Sequence, residues 1–216
     1  MKKKILLIAE TNFIVSNVLE GDLTCGYLLL LAENEEIELA IPDYSFCEAD
    51  GTIQKRLTGY ITRFERMSSE LKDVRGSSYI QFCNKIRQDL KDLKQKVIVD
   101  QDLYEQKIND IKNTVTVIPS NYEIFNRARF RYISSKPPYK LSDCEIYEAI
   151  KDFVKQIGQI GQIDYESIIF YTADKEDFDH PKIHNELQEI GVKICFKSGE
   201  VVRKILAYLR EYMEFR

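Results

Sequence analysis

Four acidic residues are placed where a parallel sheet presents its strand ends or the neighbouring helix starts. Glu10 and Asp174 each follow an apolar run, at residues 5–9 and 168–172. Asp143 opens a helix-like segment, and Glu48 lies a few residues beyond Pro42. The carboxyl ends of parallel strands share one edge of a sheet, where open α/β proteins bind their ligands. We therefore expect these four carboxylates to converge at that edge.

Converging carboxylates need a counter-cation. Two of them repel by about 4 kcal/mol at 4 Å with an effective dielectric of about 20. A hard divalent cation that prefers oxygen ligands relieves this repulsion, so the group predicts a Mg²⁺ or Mn²⁺ site. A single acid after a strand is more often a helix cap, and the hypothesis therefore depends on all four. His180 and His184 have metal-ligand spacing, but Pro181 favours a helix start there.

The elements that must position these residues alternate between strands and helices. This pattern predicts an α/β protein with three layers, α/β/α, around a mostly parallel central sheet. The predicted strands are residues 4–9, 37–41, 115–118, 166–171 and 192–196. The predicted helices are residues 13–32, 46–67, 121–131 with Ser120 as cap, 143–156 with Ser142 as cap, a helix before Gly191, and 201–213.

The segment from residue 68 to residue 113 is rich in Lys, Asp and Gln, with apolar residues at helical spacing. It predicts two or three exposed amphipathic helices. We interpret the chain as a single domain over residues 1–216, with residues 68–113 as a helical insertion. Gly158 and Gly161 predict a flexible connection before the fourth strand.

Composition limits the classes of function. Hydrophobic residues make up 44% and charged residues 31% of the chain, which argues against disorder. The net charge of −4 excludes a wholly basic nucleic-acid binder, so a polyanion must meet a local patch. A basic block interleaved with Phe130, Tyr132 and Tyr139 suits single-stranded RNA, although a solvated helix face is the simpler alternative. Its members are Arg127, Arg129, Arg131 and Lys136, with Lys140 close behind.

Cysteine usage and the start of the chain bear on location. The five cysteines are scattered, without a Cys-x-x-Cys pair, which is typical of reduced thiols. The first apolar run ends at Glu10 and is too short for a signal peptide. We therefore expect a cytoplasmic protein that does not enter a membrane.

Several motifs resemble the PIN (PilT N-terminus) domain family. Ile8-Ala9-Glu10-Thr11-Asn12-Phe13 is similar to the strand followed by Asp-Thr-Asn that opens the family. Glu48 matches a second acid, and Asp143-Cys144-Glu145-Ile146 matches the helix start that carries the third. Thr172-Ala173-Asp174-Lys175-Glu176-Asp177-Phe178 resembles the final motif, Thr-x-Asp-x-x-Asp-Phe. Lys136-Pro137-Pro138-Tyr139 is similar to the larger PIN-like branch.

The resemblance implies a metal-dependent nuclease of α/β/α architecture, and an endoribonuclease in particular. One or two Mg²⁺ or Mn²⁺ ions would bridge the carboxylates and the scissile phosphate and activate a water for in-line attack. The implied site consists of Glu10, Asp143 and Asp174 as direct ligands, Glu48 through water, Asp177 as a fifth ligand or helix cap, and Asn12 and Thr172 as supports.

The resemblance also implies partners and leaves alternatives. RNA is the implied substrate. The resemblance leaves open a toxin role, with an antitoxin or another regulatory protein as partner, and a homodimer. Glu10 departs from the family's Asp by one methylene, so a catalytically inactive binding or scaffold module is the second hypothesis. A phospho-acceptor receiver domain is a third: Lys197 fits it, but an adjacent acidic pair after the first strand is missing.

Overall fold

A computed structural model describes residues 5–74, 77–160 and 165–214. Five strands form one parallel sheet in the order β3-β2-β1-β4-β5. They are β1 (Ile5–Ala9), β2 (Glu38–Pro42), β3 (Thr116–Ile118), β4 (Ser167–Tyr171) and β5 (Val192–Cys195). With its helices the sheet forms three layers, α/β/α, which confirms the predicted fold class.

Ten α-helices connect or follow the strands within these described ranges. They are α1 (Thr11–Val15), α2 (Leu23–Glu33), α3 (Asp43–Glu70), α4 (Ser77–Val99), α5 (Gln101–Thr114), α6 (Tyr122–Ile133), α7 (Leu141–Ile160), α8 (Lys175–Phe178), α9 (Pro181–Glu189) and α10 (Ser198–Glu214). A π-helical turn, Ser16–Glu20, lies between α1 and α2.

The chain divides into two compact units. One comprises residues 1–49 and 110–216 and contains the sheet; the other comprises residues 50–109. The second unit is helical, with most of α3, all of α4 and much of α5. The single-domain reading with an insertion at residues 68–113 stays a prediction.

The centre of the sheet also marks its topological switch point. All five residues of β1 are buried, as the unbroken apolar run predicts. From β1 the chain proceeds to β2 and β3 on one side, and returns to β4 and β5 on the other. The register pairs Ile5 with Ser167 and Ala9 with Tyr171, so β1 and β4 end level with each other. In an open α/β sheet, the crevice beyond such a pair of strand ends is the usual ligand site.

A hydrophobic core holds α7, α8 and α9 against this part of the sheet. Leu6 and Phe170 from the strands meet Tyr147 of α7 and Phe178 of α8, and all four are buried. The rings of Phe170 and Phe178 make an edge contact with centroids 5.4 Å apart. Burying an aromatic side chain removes roughly 150–250 Å² from water. This packing fixes the ends of α7 and α8, which carry three of the acidic residues.

The helix predicted for residues 13–32 is wrong as a single element. Gly21 adopts a left-handed φ of 63°, which ends the π-helical turn. The Asp22 side chain then accepts hydrogen bonds from the backbone N–H groups of Thr24 and Cys25 and caps α2. The apolar pattern of the sequence did not reveal this break, because the helices on both sides of it bury apolar residues.

Some other helices begin or end at residues that differ from the predicted ones. Asn121, not Ser120, caps α6, and its side chain accepts from the backbone N–H of Ile124 at 2.9 Å. Ser142 lies inside α7, which begins at Leu141. Gly158 is a residue of α7 and not part of a connection, whereas Gly161 lies outside the described residues. Gly191, at φ 78°, follows α9 as predicted.

All five cysteines are free thiols; four are buried and Cys47 is exposed. Over the described ranges, no single helix is both long and apolar enough to cross a membrane. The helical segments Thr11–Glu20 and Leu23–Glu33, which are bent by 109° at the break between them, are together long and apolar enough, by length and composition alone.

Candidate active site

Three aspartates from the carboxyl edge of the sheet form a compact cluster. Asp143, Asp174 and Asp177 each offer a carboxylate oxygen, and these atoms lie within 4.8 Å of one another. Asp143 belongs to the first turn of α7, Asp174 caps α8 after β4, and Asp177 lies within α8. We call these three residues the aspartate triad. It lies beyond the end of β4, beside the switch point.

A short hydrogen-bonded turn shapes the β4 side of the triad. The buried Thr172 hydroxyl oxygen accepts a hydrogen bond from the backbone N–H of Asp174 at 3.0 Å. The Asp174 carboxylate in turn accepts from the backbone N–H of Asp177 at 3.1 Å. These two bonds orient both aspartates, and the supporting role of Thr172 in a metal site stays a prediction. The Asp177 side chain belongs to the triad, and His180 is the cap of the following helix.

Lys140, which the sequence analysis places with the basic block and not with the metal ligands, lies against the triad. The Lys140 ammonium is 3.8 Å from Asp143 Oδ2 and 3.7 Å from Asp174 Oδ2, and it donates a short hydrogen bond to Asp177. This hydrogen bond, helped by the charges of the three aspartates and opposed by partial burial, raises the pKa of Lys140. The signal in the sequence was weak: Lys140 precedes Asp143 by three residues, one helical turn.

One buried oxygen of the triad has no hydrogen-bond partner among the residues that the structure describes. Asp143 Oδ2 is buried and accepts no hydrogen bond, since Lys140 is too far from it for one. Burial, the charges of Asp177 and Glu48, and to a smaller extent Asp174, raise the pKa of Asp143 to about 7 against the opposing charge of Lys140. A buried, unsatisfied carboxylate oxygen is costly unless a cation compensates it. The donor set, all carboxylate oxygen, fits a hard divalent cation.

Glu10 shares the partner Thr172 with the triad and is held by the start of α1. One carboxylate oxygen accepts from the Asn12 backbone N–H at 2.9 Å and the other from the Asn12 side-chain amide at 3.0 Å. Burial, only partly offset by these bonds and one with Thr172, raises the pKa of Glu10 to about 7. Thr172 therefore links Glu10 to Asp174. Asn12 and Thr172 both hydrogen-bond to Glu10; their role as supports of a metal site and direct ligation by Glu10 stay predictions.

Glu48 lies on α3, within electrostatic reach of both sides of the site. Its carboxylate accepts a hydrogen bond of 2.5 Å from the Thr11 hydroxyl. Its charge contributes to the raised pKa values of Glu10 and Asp143. Among the described residues, the group within 4.8 Å contains neither Glu10 nor Glu48. The structure thus places two carboxylates around a tighter group of three, and Thr11 is a partner that the sequence reasoning missed.

The predicted basic block divides into two pairs. Arg131 is buried, and its guanidinium donates to Glu148, Glu186 and the Pro137 carbonyl oxygen. Arg127 pairs with Asp152 at 2.5 Å. Arg129 is exposed, and the Lys136 ammonium lies over the ring of Phe130, 5.5 Å from its centroid.

The two histidines have separate structural partners. His180 caps α9, and its Nδ1 accepts from the backbone N–H of Lys182 at 3.1 Å. His184 pairs with Asp179 at 2.9 Å. The helix-start interpretation of His180 is therefore confirmed.

Comparison with known proteins bears on this geometry. No curated protein and no solved structure matches the chain. A family profile described as PIN domain matches residues 7–178, which run from β1 through α8 and include Glu10, Glu48 and the whole triad. A PIN domain implies a nuclease-type fold. The matched region ends with the motif that supplies Asp174 and Asp177. The profile covers most of the chain, and the chain therefore belongs to the PIN domain family.

Proposed function

We propose that this protein is a metal-dependent endoribonuclease that hydrolyses RNA phosphodiester bonds. The observation that carries the proposal is the aspartate triad at the switch point, with the buried, unsatisfied Asp143 Oδ2. Asp143, Asp174 and Asp177 would hold Mg²⁺ or Mn²⁺. Such an ion, when bound, supplies Lewis-acid activation of the phosphodiester and of the attacking water.

The surrounding residues keep the triad in place. Thr172 orients the backbone of Asp174, and Glu10 fixes Thr172 and Asn12 by hydrogen bonds. Glu48 adds negative charge next to Asp143. We propose that Glu10 as a direct ligand and Glu48 through water raise the affinity of the site for a divalent ion and complete its ligand set. Their removal should weaken ion binding more than it disturbs the fold.

The exposed part of the basic block is the proposed contact for the RNA strand. Arg129 is free of the buried ion pairs that engage Arg131, and Phe130 and Tyr132 expose about half or more of their surface. Exposed aromatic rings stack on unpaired bases, and each base stacked in this way contributes about 1–3 kcal/mol. Lys136 would contact phosphate beside them. Arg127 and Arg131 are less suited to this role, because carboxylates within the chain already neutralise them.

The direct test is cleavage of single-stranded RNA with Mg²⁺ or Mn²⁺, with and without a chelator. Asp174→Asn keeps the helix-capping oxygen that accepts from Asp177 but removes one charge. We expect it to lower cleavage at least about 100-fold, or about 2.7 kcal/mol in activation free energy. Glu189→Gln, which removes an exposed carboxylate from α9, is the matched control and should cleave normally. Cleavage that survives both chelator and Asp174→Asn would refute the proposal.

One observation favours the second hypothesis, a module that binds without cleaving. The Glu10 carboxylate is fully engaged by Asn12 and Thr172, and an ammonium already neutralises part of the triad. Glu10→Asp restores the residue that the family carries and tests this alternative. A variant that cleaves RNA when the parent protein does not would establish the binding module. The toxin role, an antitoxin or other regulatory partner, the homodimer and the cytoplasmic location stay predictions.

A further inference from the structure

Lys140 is an internal cation at the position that a metal ion would neutralise. Its ammonium forms ion pairs with all three aspartates of the triad at once. Two of those aspartates are buried, Asp143 at 8% and Asp177 at 5% exposure. A surface ion pair contributes little, but a buried carboxylate that loses its only nearby cation is strongly destabilising. The contact is therefore more than an incidental surface pair.

We propose that Lys140 is an exchangeable counter-ion of the triad: it neutralises the aspartates when no metal is bound, and a divalent ion displaces it. This inference rests on the proposed metal site. It gives the protein a built-in competitor that sets how much free metal is needed to fill the site. It also explains how three aspartates can stay together in the folded protein before any metal arrives.

The geometry makes the lysine displaceable. Its side chain is 61% exposed, so the ammonium can turn into solvent without leaving a cavity in the core. Its backbone is fixed at the start of α7, where the Lys140 carbonyl accepts from the Cys144 N–H at 3.0 Å. The head group can therefore move while the loop and helix stay in place. Lysine has a flexible four-carbon stem that permits such motion.

A divalent ion is the better partner for these oxygens. The ammonium carries one charge for three carboxylates and leaves Asp143 Oδ2 without a hydrogen bond, at 3.8 Å. Mg²⁺ carries two charges and binds oxygen ligands at about 2.0–2.1 Å. It would therefore satisfy the oxygen that the lysine leaves unpaired. Competition between the two cations follows, because both depend on the same carboxylates.

The first experiment measures Mn²⁺ affinity by calorimetric titration of the parent protein and three variants. Lys140→Gln removes the competitor, and we expect its Mn²⁺ dissociation constant to fall about tenfold. Lys140→Arg keeps the charge and should show no gain in affinity. Lys175→Gln is the matched control: it removes the same charge next to Asp174, from a lysine whose ammonium lies over Phe196. Its affinity should equal that of the parent protein.

The second experiment uses the unaltered protein and so does not depend on the folding of a variant. Amine-reactive labelling followed by mass spectrometry reports how accessible each lysine is. We expect labelling of Lys140 to increase severalfold when Mn²⁺ is added, because the released ammonium loses its carboxylate partners. Lys175 labelling should not change. Thermal unfolding in chelator adds a check, since Lys140→Gln should melt below the parent protein and gain more from Mn²⁺.

The outcomes separate the two proposals. Equal Mn²⁺ affinity in the parent protein and Lys140→Gln, with unchanged Lys140 labelling, would overturn the exchange and leave the metal site intact. Failure of every protein to bind Mn²⁺ or Mg²⁺ would refute the proposed function, and the exchange with it. A gain in affinity by Lys175→Gln as large as that of Lys140→Gln would reduce the effect to overall charge and would also overturn the exchange.

Discussion

Two ionic clusters that share helix α7 differ in the balance between cations and carboxylates. One surrounds Arg131 and includes Glu148 and Lys151 of α7 and Glu186 of α9. The other is the aspartate triad with Lys140 at the start of that helix. Among the described residues, Arg131 and Lys151 match the charge of the two carboxylates of the first cluster, and Arg127 also lies 3.7 Å from Glu148; the second cluster has one cation for three carboxylates. The comparison distinguishes a cluster that completes a fold from one that is prepared for a ligand.

The Arg131 cluster is saturated. The guanidinium donates to Glu148 at 2.7 Å, to Glu186 at 2.5 Å and to the Pro137 carbonyl oxygen at 2.5 Å. Burial alone would raise the pKa of Glu186, but hydrogen bonds from Lys151 and Arg131 outweigh it and lower that pKa. Both charged partners in α7 and α9 are thus satisfied within the chain. Nothing in this cluster calls for an external ion.

The aspartate triad has the reverse properties. Burial raises the pKa of Asp143 to about 7, and Lys140 offsets only part of the effect of the neighbouring acids. Its Oδ2 atom has no hydrogen-bond partner. Perturbed carboxylates with unsatisfied atoms are characteristic of functional sites, although ionic networks shift pKa values as well. The difference between the clusters therefore lies in charge balance and hydrogen-bond satisfaction together.

The largest expected effect comes from breaking the saturated cluster. Arg131→Ala leaves the buried Glu148 and the partly buried Glu186 without their main partner and should lower the free energy of unfolding by about 3–5 kcal/mol. Urea unfolding followed by circular dichroism measures this. Arg129→Ala removes an exposed arginine from the same helix and should change stability by no more than about 0.5 kcal/mol. Equal effects of the two substitutions would show that Arg131 is not a structural centre.

The next largest effect separates activity from stability. Asp143→Asn removes a buried charge that the protein only partly compensates, so its free energy of unfolding at pH 8 should equal or exceed that of the parent. RNA cleavage should nevertheless fall at least about 100-fold, since a ligand charge is lost. Unfolding and cleavage are measured on the same preparation. A loss of stability that parallels the loss of activity would assign Asp143 to the fold instead of the site.

The pH dependence of stability should differ in sign between the clusters. The folded pKa values of Glu10 and Asp143, about 7, exceed their ordinary values of 4.5 and 3.8. The folded state therefore holds more protons between about pH 4 and pH 7, and stability should fall by about 1–3 kcal/mol as the pH rises through this window. Glu186, with a lowered pKa, stabilises the fold above its ordinary value of 4.5, and this is lost in acid.

Urea unfolding at pH 5 and pH 8 measures this difference. Mn²⁺ should restore stability at pH 8, because metal binding requires the ionised carboxylates. Asp143→Asn should reduce the fall between the two pH values. A parent protein with the same stability at both pH values, and no response to Mn²⁺, would contradict the assignment of excess charge to the site.

The smallest expected effect concerns the exposed Arg129 and the partly buried Lys136, next to the saturated cluster. The double substitution Arg129→Gln with Lys136→Gln should reduce the log–log salt slope of single-stranded RNA binding by about 1.4, since each phosphate contact contributes about 0.7. Mn²⁺ affinity should not change. Lys193→Gln with Arg203→Gln removes the same charge from β5 and α10. An equal reduction of the salt slope in this control pair would show that Arg129 and Lys136 belong to a solvated helix face and do not contact the RNA.

The sequence alone was sufficient to predict the sheet and to single out the three aspartates that the structure brings together. A continuous apolar run as short as residues 5–9 favours a buried strand between two helical layers, and the structure contains that strand at the centre of the sheet. Asp143 and Asp174 follow from position, because parallel strands and the helices after them share one edge. The family motif from Thr172 to Phe178, which contains Asp177, added the third acid. These features are local, so neighbouring residues specify them.

The tertiary structure decided which charges meet, and the sequence could not. Arg127, Arg129, Arg131 and Lys136 form one basic block in the chain, but α7 and α9 bring carboxylates to only two of them. Lys140 belongs to the same basic stretch, and the packing of α8 against α7 brings it onto three aspartates. Charge partners are set by long-range packing, at separations such as the 37 residues between Lys140 and Asp177. The sequence determines which charges exist; only the folded backbone determines which of them are satisfied.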